Sequence, residues 1–131
     1  MERAGLTEWL EDYERAWRTP GTEVLAELFT ADGYYSTGPY ESPHRGLAAI
    51  GEMWEGERLG PDEEFEMTSE ILAVEGDTGV VRIEVRYGAP KNSEYRDLWV
   101  VRLTEEGLCF HFEEWPFWPS DQKGAPAEGA D

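Results

Sequence analysis

The hydrophobic positions of this chain change their spacing near Phe65. Before Phe65 the apolar residues recur at intervals of three and four, as on one face of a helix, and after it they alternate with polar residues, as in strands that bury one face. Helices followed by consecutive hairpin-connected strands are typical of an α+β domain. The pattern therefore predicts helices packed on an antiparallel sheet.

Three helices are predicted in the N-terminal half. The first runs from about Thr7 to Arg18 and is ended by Pro20 and Gly21, the second is short with Thr22 as its cap, and the third opens at Gly46. Their apolar stripes are Leu6, Trp9, Leu10, Tyr13, Ala16 and Trp17 in the first, Val24, Leu25, Leu28 and Phe29 in the second, and Leu47, Ile50, Met53 and Trp54 in the third.

A short strand at 34–37 and four long strands are predicted. The long strands lie at 64–74, 79–88, 94–104 and 108–119, with glycine- or proline-containing turns between them. Residues 1–119 are therefore expected to form a single domain. Residues 120–131 carry no large apolar side chain and are expected to form a disordered acidic tail.

Charge limits the classes of partner. The 131 residues include 29 Asp and Glu against 11 Lys and Arg, a net charge of -18. A surface of this sign repels nucleic acid and anionic membranes, so neither is an expected partner. The N-terminus has no apolar signal core and no apolar run reaches membrane-spanning length, so a cytoplasmic protein is expected.

The residues indicate neither a cofactor nor a metal site. Cys109 is the only cysteine, which excludes an internal disulfide and a cysteine metal cluster, and it is expected to fill the core. His44 and His111 do not stand at metal-ligand spacing with the acidic residues. A small molecule is the expected ligand.

Alternation assigns one face of each long strand to the interior. Val81 and Ile83 point inward on the second, and Asp97 and Trp99 on the third. On the last strand Phe110, Phe112 and Glu114 are assigned inward, although a bulge there would move every later side chain to the other face. Two carboxyls are thereby predicted to share an apolar interior.

Two interpretations of Asp97 and Glu114 follow from that placement. An apolar environment raises the pKa of a carboxyl, which suits a catalytic acid and base near neutral pH. The alternative is a structural pair that is hydrogen-bonded to Tyr13 or to a tryptophan.

The order of these elements resembles the NTF2-like family, which includes SnoaL-type cyclases and ketosteroid isomerases. The resemblance rests on Tyr13 followed by Phe29, on Gly46 and the helix after it, and on the hairpin 100–107. It implies a cone, in which helices cover a curved antiparallel sheet and enclose a pocket. It also implies that Tyr13 corresponds to the oxyanion-hole tyrosine of the isomerases.

Two positions depart from the isomerase pattern. The resemblance places the catalytic base at Thr37 and the protonated acid of the oxyanion hole at Trp99. A threonine is no base at neutral pH, and an indole N–H donates a hydrogen bond but exchanges no proton. Classical steroid isomerisation is therefore not expected.

Other members of the family suggest different uses of the late strands. In SnoaL-type cyclases an acidic residue on a late strand is the acid and base of an aldol ring closure, and Glu114 is its nearest counterpart, with Asp97 second. Members similar to limonene epoxide hydrolase place Arg two residues from an Asp, whereas Asp97 is flanked at that spacing by Tyr95 and Trp99.

A set of mostly aromatic and apolar side chains is predicted to line the pocket, although aromatic residues at these spacings more often form a core. His44 is either a proton shuttle at the pocket mouth or an exposed loop residue. The predicted lining residues are Trp17, Tyr35, Thr37, His44, Trp54, Val81, Ile83, Trp99 and Phe112.

Three functions remain open at this point. The first is binding of a small, apolar, oxygenated molecule, with acid–base catalysis of the cyclase, isomerase or dehydratase kind. The second is non-catalytic ligand binding in the same cone, and the third is protein interaction through the outer sheet face. Leu98 and Val100 on that face predict a homodimer, and the aromatic segment 115–119 is expected either to cover the wide end of the cone or to pack in the dimer interface.

Overall fold

The computed structural model describes residues 1–57, 64–88 and 93–119. The predicted tail at 120–131 lies outside the described residues. The elements are α1 (Arg3–Arg18), a 3₁₀ helix (Glu23–Glu27), β1 (Phe29–Ser36), β2 (His44–Arg45), α2 (Leu47–Glu57), β3 (Phe65–Glu75), β4 (Thr78–Tyr87), β5 (Ser93–Leu103) and β6 (Cys109–Phe117).

Helix α1 covers the sheet with the apolar stripe that its sequence predicts. It begins four residues earlier than predicted, at Arg3, and its buried residues include Leu6 and Tyr13. The indole Nε1 of Trp9 donates to the backbone oxygen of Leu28 at 3.0 Å. That hydrogen bond joins the helix to the segment that leads into β1.

The second predicted helix is not an α-helix, so residues 1–57, 64–88 and 93–119 contain two α-helices rather than three. Residues Glu23–Glu27 form a single stretch of 3₁₀ helix, and Thr22 makes no side-chain capping hydrogen bond. Phe29, assigned to that helix from its spacing, is instead the first residue of β1. The segment between Gly21 and the sheet is too short for two α-helical turns before the strand begins.

The sheet is mixed, not wholly antiparallel as predicted. Its strand order is β2-β1-β6-β5-β4-β3, in which β3 to β6 form the predicted antiparallel meander. Strand β1 lies parallel to β6, with Phe29 opposite Cys109. The backbone N–H of Cys109 also donates to the oxygen of Leu28 at 2.7 Å, so the chain that leaves the 3₁₀ helix enters the sheet alongside β6.

Bulges bend the strands, and the bulge in β6 changes which side chain faces inward at Phe110. The register of β5 and β6 shifts between Arg102 and Leu103, which bends the sheet as bulges generally do. Cys109 is fully buried there, and Phe110 instead lies under the guanidinium of Arg102, 5.0 Å from its ring centre. The inward assignment of Phe110 is therefore wrong, while Phe112, beyond the bulge, is fully buried.

The core lies between α1, α2 and the sheet, and the buried residues of β4 and β5 alternate as predicted. Among the described residues, no helix is long and apolar enough to cross a bilayer.

Gly79 provides a test of how tightly α1 packs on β4. A Cβ at this position would fall on Cδ2 of Leu6, which is fully buried in the core. Gly79→Ala should lower the free energy of unfolding by about 1–3 kcal/mol because the core is overpacked. Urea denaturation followed by tryptophan fluorescence measures the change.

The matched control is Gly5→Ala. Gly5 lies within α1, and no atom lies within 4 Å of an added Cβ. This variant should be more stable than the parent by roughly 0.5–1 kcal/mol because alanine favours the helix. Equal effects of the two substitutions would contradict the packing of α1 described here.

Candidate active site

Asp97 lies inside the protein because of the alternation of β5. It pairs with Ile83 on β4 and with Pro116 on β6, and it is 2% exposed. Its Oδ2 accepts a hydrogen bond from Nε1 of Trp99, two residues along the same face, at 3.0 Å. Its Oδ1 is buried and has no hydrogen-bond partner among the described residues.

Glu114 faces the same interior from the neighbouring strand. It stands directly opposite Trp99 in the β5–β6 register, so it is a diagonal neighbour of Asp97 on that face. Such diagonal positions are about 7–8 Å apart, within reach of long side chains. Glu114 is only partly buried as a whole residue, but its carboxyl group is buried, as is that of Asp97.

A hydrogen-bonded pair of tyrosines lies beside these carboxyls. The hydroxyl of Tyr13 on α1 is 2.7 Å from the hydroxyl of Tyr35 on β1, and both side chains are buried. Burial, then their mutual interaction and the nearby Glu114, raise the pKa of Tyr13 well above its ordinary value. The hydroxyl therefore stays protonated and can donate a hydrogen bond at neutral pH.

The ring of Tyr13 is the centre of an aromatic cluster, which we define as Tyr13, Tyr35, Trp54, Trp99 and Phe112. Tyr13 lies 4.7 Å from the ring of Trp99 and 5.2 Å from that of Trp54, and it stacks on Phe112 at 5.8 Å. Trp54 and Phe112 are fully buried. Edge and tilted contacts of this kind stabilise their geometry beyond the area that they bury.

Burial makes both carboxyls weak acids. It raises the pKa of Asp97 to about 7, against a smaller opposing effect of the hydrogen bond from Trp99. Burial, then the charges of Asp97 and Glu57, raise the pKa of Glu114 well above its ordinary value. None of the described Arg or Lys side chains contributes to either shift, so protons are what neutralise this pair.

The other predicted lining residues fall into two groups. Val81 and Ile83 are fully buried beneath the cluster on β4, and Trp17 is partly buried with its ring 4.7 Å from Trp54. Thr37 follows the end of β1, and His44 lies in the edge strand β2. Both residues are partly exposed. The structure thus brings most of the predicted set together around Tyr13, with Thr37 and His44 at its periphery.

Two acidic or phenolic groups near the pair were not predicted to belong to the site. Glu57 ends α2, and its carboxylate acts on Glu114. Tyr95 lies two residues before Asp97 on β5, and burial followed by the charge of Glu114 raises its pKa. The signals were present, because Glu57 is three residues after Trp54 on one helix face and Tyr95 shares the face of Asp97.

The position of His111 agrees with its predicted place on the outer face of the last strand, and the role of His44 stays a prediction. His111 lies on the outer sheet face, where its ring stacks on Tyr34 at 4.5 Å and Nε2 is 2.7 Å from Glu113 Oε2. Among the described side chains, no group of three His, Cys, Asp or Glu residues is arranged to hold a metal ion.

The site combines buried groups that can donate and accept protons. A protonated carboxyl donates a hydrogen bond to a ligand oxygen, and an ionised one accepts a proton from carbon. The Tyr13–Tyr35 pair supplies a neutral donor for negative charge that develops on oxygen. These are the requirements of enolisation, of aldol ring closure and of related proton transfers.

Comparison with protein families gives one match over most of the chain. The sequence profile described as "SnoaL-like domain" matches residues 10–112. That span includes the C-terminal part of α1 with Tyr13, as well as Asp97 and Phe112, and it ends two residues before Glu114. No curated protein sequence matches this chain significantly.

Three solved structures illustrate the fold to which this chain is similar. A steroid delta-isomerase of Pseudomonas aeruginosa is 17% identical and superimposes with a TM-score of 0.64, covering 96% of this chain and 88% of its own. An NTF2-like protein of unknown function from Burkholderia xenovorans is 13% identical with a TM-score of 0.69, covering 98% and 94%. SalBIII, an epoxide hydrolase/cyclase-like enzyme in pyran ring formation in the polyether salinomycin, is 17% identical with a TM-score of 0.66, covering 87% and 90%.

Burial of Asp97 predicts a pH-dependent effect of its substitution. Because its pKa is raised to about 7 by folding, the folded protein holds this proton more tightly than the unfolded chain does. The contribution to stability is complete below about pH 4 and is lost as the pH rises through 7. Asp97→Asn should therefore be more stable than the parent at pH 8, by roughly 2–4 kcal/mol, and nearly equal to it at pH 4.

Urea unfolding at pH 4, 6 and 8 measures this difference. Asp77→Asn is the control with the opposite sign, because hydrogen bonds from Thr78 and Arg102 lower the pKa of Asp77, which lies at the protein surface. That variant should lose stability at pH 8 relative to pH 4. An Asp97→Asn variant whose stability difference does not change with pH would contradict the assigned environment.

Proposed function

Because this chain belongs to the SnoaL-like domain family, we propose that it binds a small, apolar, oxygenated molecule in the cone and catalyses proton transfer on it. The observation that carries the proposal is the placement of Asp97 and Glu114 on adjacent strands, facing one interior, with raised pKa values and beside the Tyr13–Tyr35 hydroxyl pair. Its reaction class is isomerase-, cyclase- or dehydratase-like.

The two carboxyls take different roles in this proposal. Glu114 is the nearest counterpart of the acid–base residue on a late strand of SnoaL-type cyclases, so we assign to it the proton exchange with the substrate. Asp97 is enclosed, and its charge raises the pKa of Glu114, so it adjusts the acidity of its neighbour. Two carboxyls that share an apolar site do not both ionise at low free energy, so one holds a proton while the other acts as a base.

Tyr13 completes the arrangement as a hydrogen-bond donor. Its neutral hydroxyl, already paired with Tyr35, can share negative charge on a substrate oxygen when a proton leaves the neighbouring carbon. The resemblance implies that Thr37 and Trp99 correspond to the base and the second acid of ketosteroid isomerases, and neither residue can take that role. Classical steroid isomerisation is therefore not part of this proposal.

A second candidate function is non-catalytic binding, of a ligand or of another protein. The observation that favours it is the complete burial of Trp54 and the near-complete burial of Trp99, which fill much of the interior around Asp97. The outer sheet face exposes Leu98, Trp115 and Phe117. Such a face is typical of a protein interface.

A second copy of this chain is the partner that we propose for the outer face. Trp115 stands opposite Leu98, and Phe117 stands opposite Arg96, in the β5–β6 register. Arginines and glutamates alternate beside this apolar strip, as in the Arg96–Glu84 pair at 3.8 Å. Under two-fold symmetry the same patch meets itself, so alternating charges allow each Arg to meet a Glu.

The catalytic proposal is tested by removing the titrating group of Glu114. The assay follows exchange of α-hydrogens for deuterium in apolar ketones such as 2-tetralone by NMR. Glu114→Gln should lower the exchange rate about 100-fold or more, because general acid–base groups typically contribute that much. Asp97→Asn should shift the pH profile, since it removes the charge that raises the pKa of Glu114.

Glu84→Gln is the matched control for this assay. It makes the same change of one charge on the outer sheet face, where Glu84 pairs with Arg96, and should leave the exchange rate unchanged. If the parent protein accelerates exchange and Glu114→Gln leaves the rate and its pH profile intact, the acid–base role of Glu114 is wrong.

The homodimer is tested by the molar mass in solution. Light scattering should give about twice the 14.9 kDa of one chain for the parent, and about one chain's mass for Phe117→Asp, because a charge would then be buried in the apolar strip. Tyr40→Asp is the control, since Tyr40 is 98% exposed outside the sheet face. A parent protein that remains monomeric at micromolar concentration would exclude this interface.

A further inference from the structure

The carboxyl pair is an acidic site without a described cation to balance it. Asp97 on β5 and Glu114 on β6 face the same interior, and Glu57 adds a third carboxylate from α2. Oδ1 of Asp97 is buried without a hydrogen-bond partner among the described residues. A buried carboxylate oxygen of this kind is satisfied by a donor, and a charged donor satisfies both its hydrogen bond and its charge.

Aromatic rings lie beside Asp97. Tyr13, Trp99 and Phe112 meet one another with ring centres 4.7 to 5.8 Å apart, next to the carboxyl of Asp97, which accepts from the Trp99 indole. The face of an aromatic ring carries a negative quadrupole, so it attracts cations, and tryptophan does so most strongly. Carboxylates combined with aromatic faces are the recognition chemistry of an ammonium group.

The charge of the whole protein also favours a cationic ligand. Its net charge of -18 produces a potential that concentrates cations near its surface and repels anions. A substrate with a carboxylate or a phosphate would meet that repulsion, and then the carboxyl pair itself. A neutral molecule gains nothing from either charge.

We propose that the substrate of this site is an apolar molecule that carries a protonated amine, held between Asp97 and Glu114 against the faces of Tyr13 and Trp99. The inference deepens the proposed function and rests on it, because both require this pair to contact the ligand. It adds that the apolar, oxygenated ligand is a cation.

Binding of such a ligand is coupled to loss of a proton from the pair. Around neutral pH the carboxyls hold protons because burial raises their pKa values, and an ammonium ion takes over that neutralising role. The groups that face the pair from the surrounding elements are Tyr13 of α1, Tyr35 of β1, Glu57 of α2, and Tyr95 of β5, while β4 contributes Val81 and Ile83. The three tyrosines stay neutral below pH 9 because burial raises their pKa values.

Three probes of one size test the charge preference: 2-phenylethylamine, 2-phenylethanol and phenylacetate. Isothermal titration calorimetry at pH 6 and pH 8 gives their affinities for the full chain. At pH 8 the amine should bind at least tenfold more tightly than the alcohol, and phenylacetate should bind more weakly than both. An aliphatic amine remains protonated at both values, since its pKa is about 10.

The pH dependence identifies the carboxyl pair as the binding group. Since the pKa of Asp97 is about 7, the ionised form falls about tenfold between pH 8 and pH 6, and the affinity for the amine should fall with it by about tenfold or more. Titrations at pH 6 in buffers of different ionisation enthalpy should show release of about one proton for each amine bound. Binding of 2-phenylethanol should release none.

Matched variants distinguish an effect of the carboxyl pair on binding from an effect of the surface charge. Asp97→Asn and Glu114→Gln should each remove the preference for the amine and lower proton release. Glu84→Gln makes the same change of charge on the outer face and should retain both. Circular dichroism of each variant verifies the fold, and Glu114→Gln provides the test if Asp97→Asn fails to fold.

The outcomes distinguish this inference from the proposal on which it rests. If the alcohol binds as well as the amine, and ketone exchange still depends on Glu114, the ligand is not a cation and the acid–base function stands. If amine preference is present but unchanged in both variants, the amine binds elsewhere and the inference is overturned. If no probe binds and exchange is absent, both are wrong.

Discussion

The packing of the Tyr13 ring is the contact on which the interior depends. Helix α1 places this ring against Trp54 of α2 and against Trp99 and Phe112 of the sheet. A single side chain therefore fixes the distance between both helices and the sheet, and at the same time encloses the carboxyl of Asp97. Exclusion of water, which drives this packing, also raises the pKa values of Asp97 and Glu114.

Much of the fold was predictable because strand alternation is a local property. The regular alternation of β4 and β5 placed Val81, Ile83, Asp97 and Trp99 on the inner face, where the structure has them. The 3₁₀ helix was less predictable. Apolar residues at spacings of three and four, such as Leu25, describe one helical turn followed by a strand as well as they describe a short α-helix.

The remaining features depend on contacts between segments that are distant in sequence. No local pattern in β1 specifies that it lies parallel to β6, or that the Tyr35 hydroxyl meets that of Tyr13. The bulge at Phe110 likewise depends on how β6 meets β5. The candidate carboxyls could thus be identified from the sequence, whereas their exposure and the donors around them required the three-dimensional arrangement.

The parallel pairing of β1 with β6 has a consequence for synthesis of the chain. Phe29 pairs with Cys109, so β1, which has only the two-residue β2 as an earlier partner, cannot join the rest of the sheet until nearly all of the domain has left the ribosome. The β3–β6 meander is built from neighbouring hairpins and can form first, because contacts between nearby segments lose less chain entropy. The N-terminal helix and β1 must therefore wait with their apolar faces exposed, and this interval is when a nascent chain of this fold most needs a chaperone.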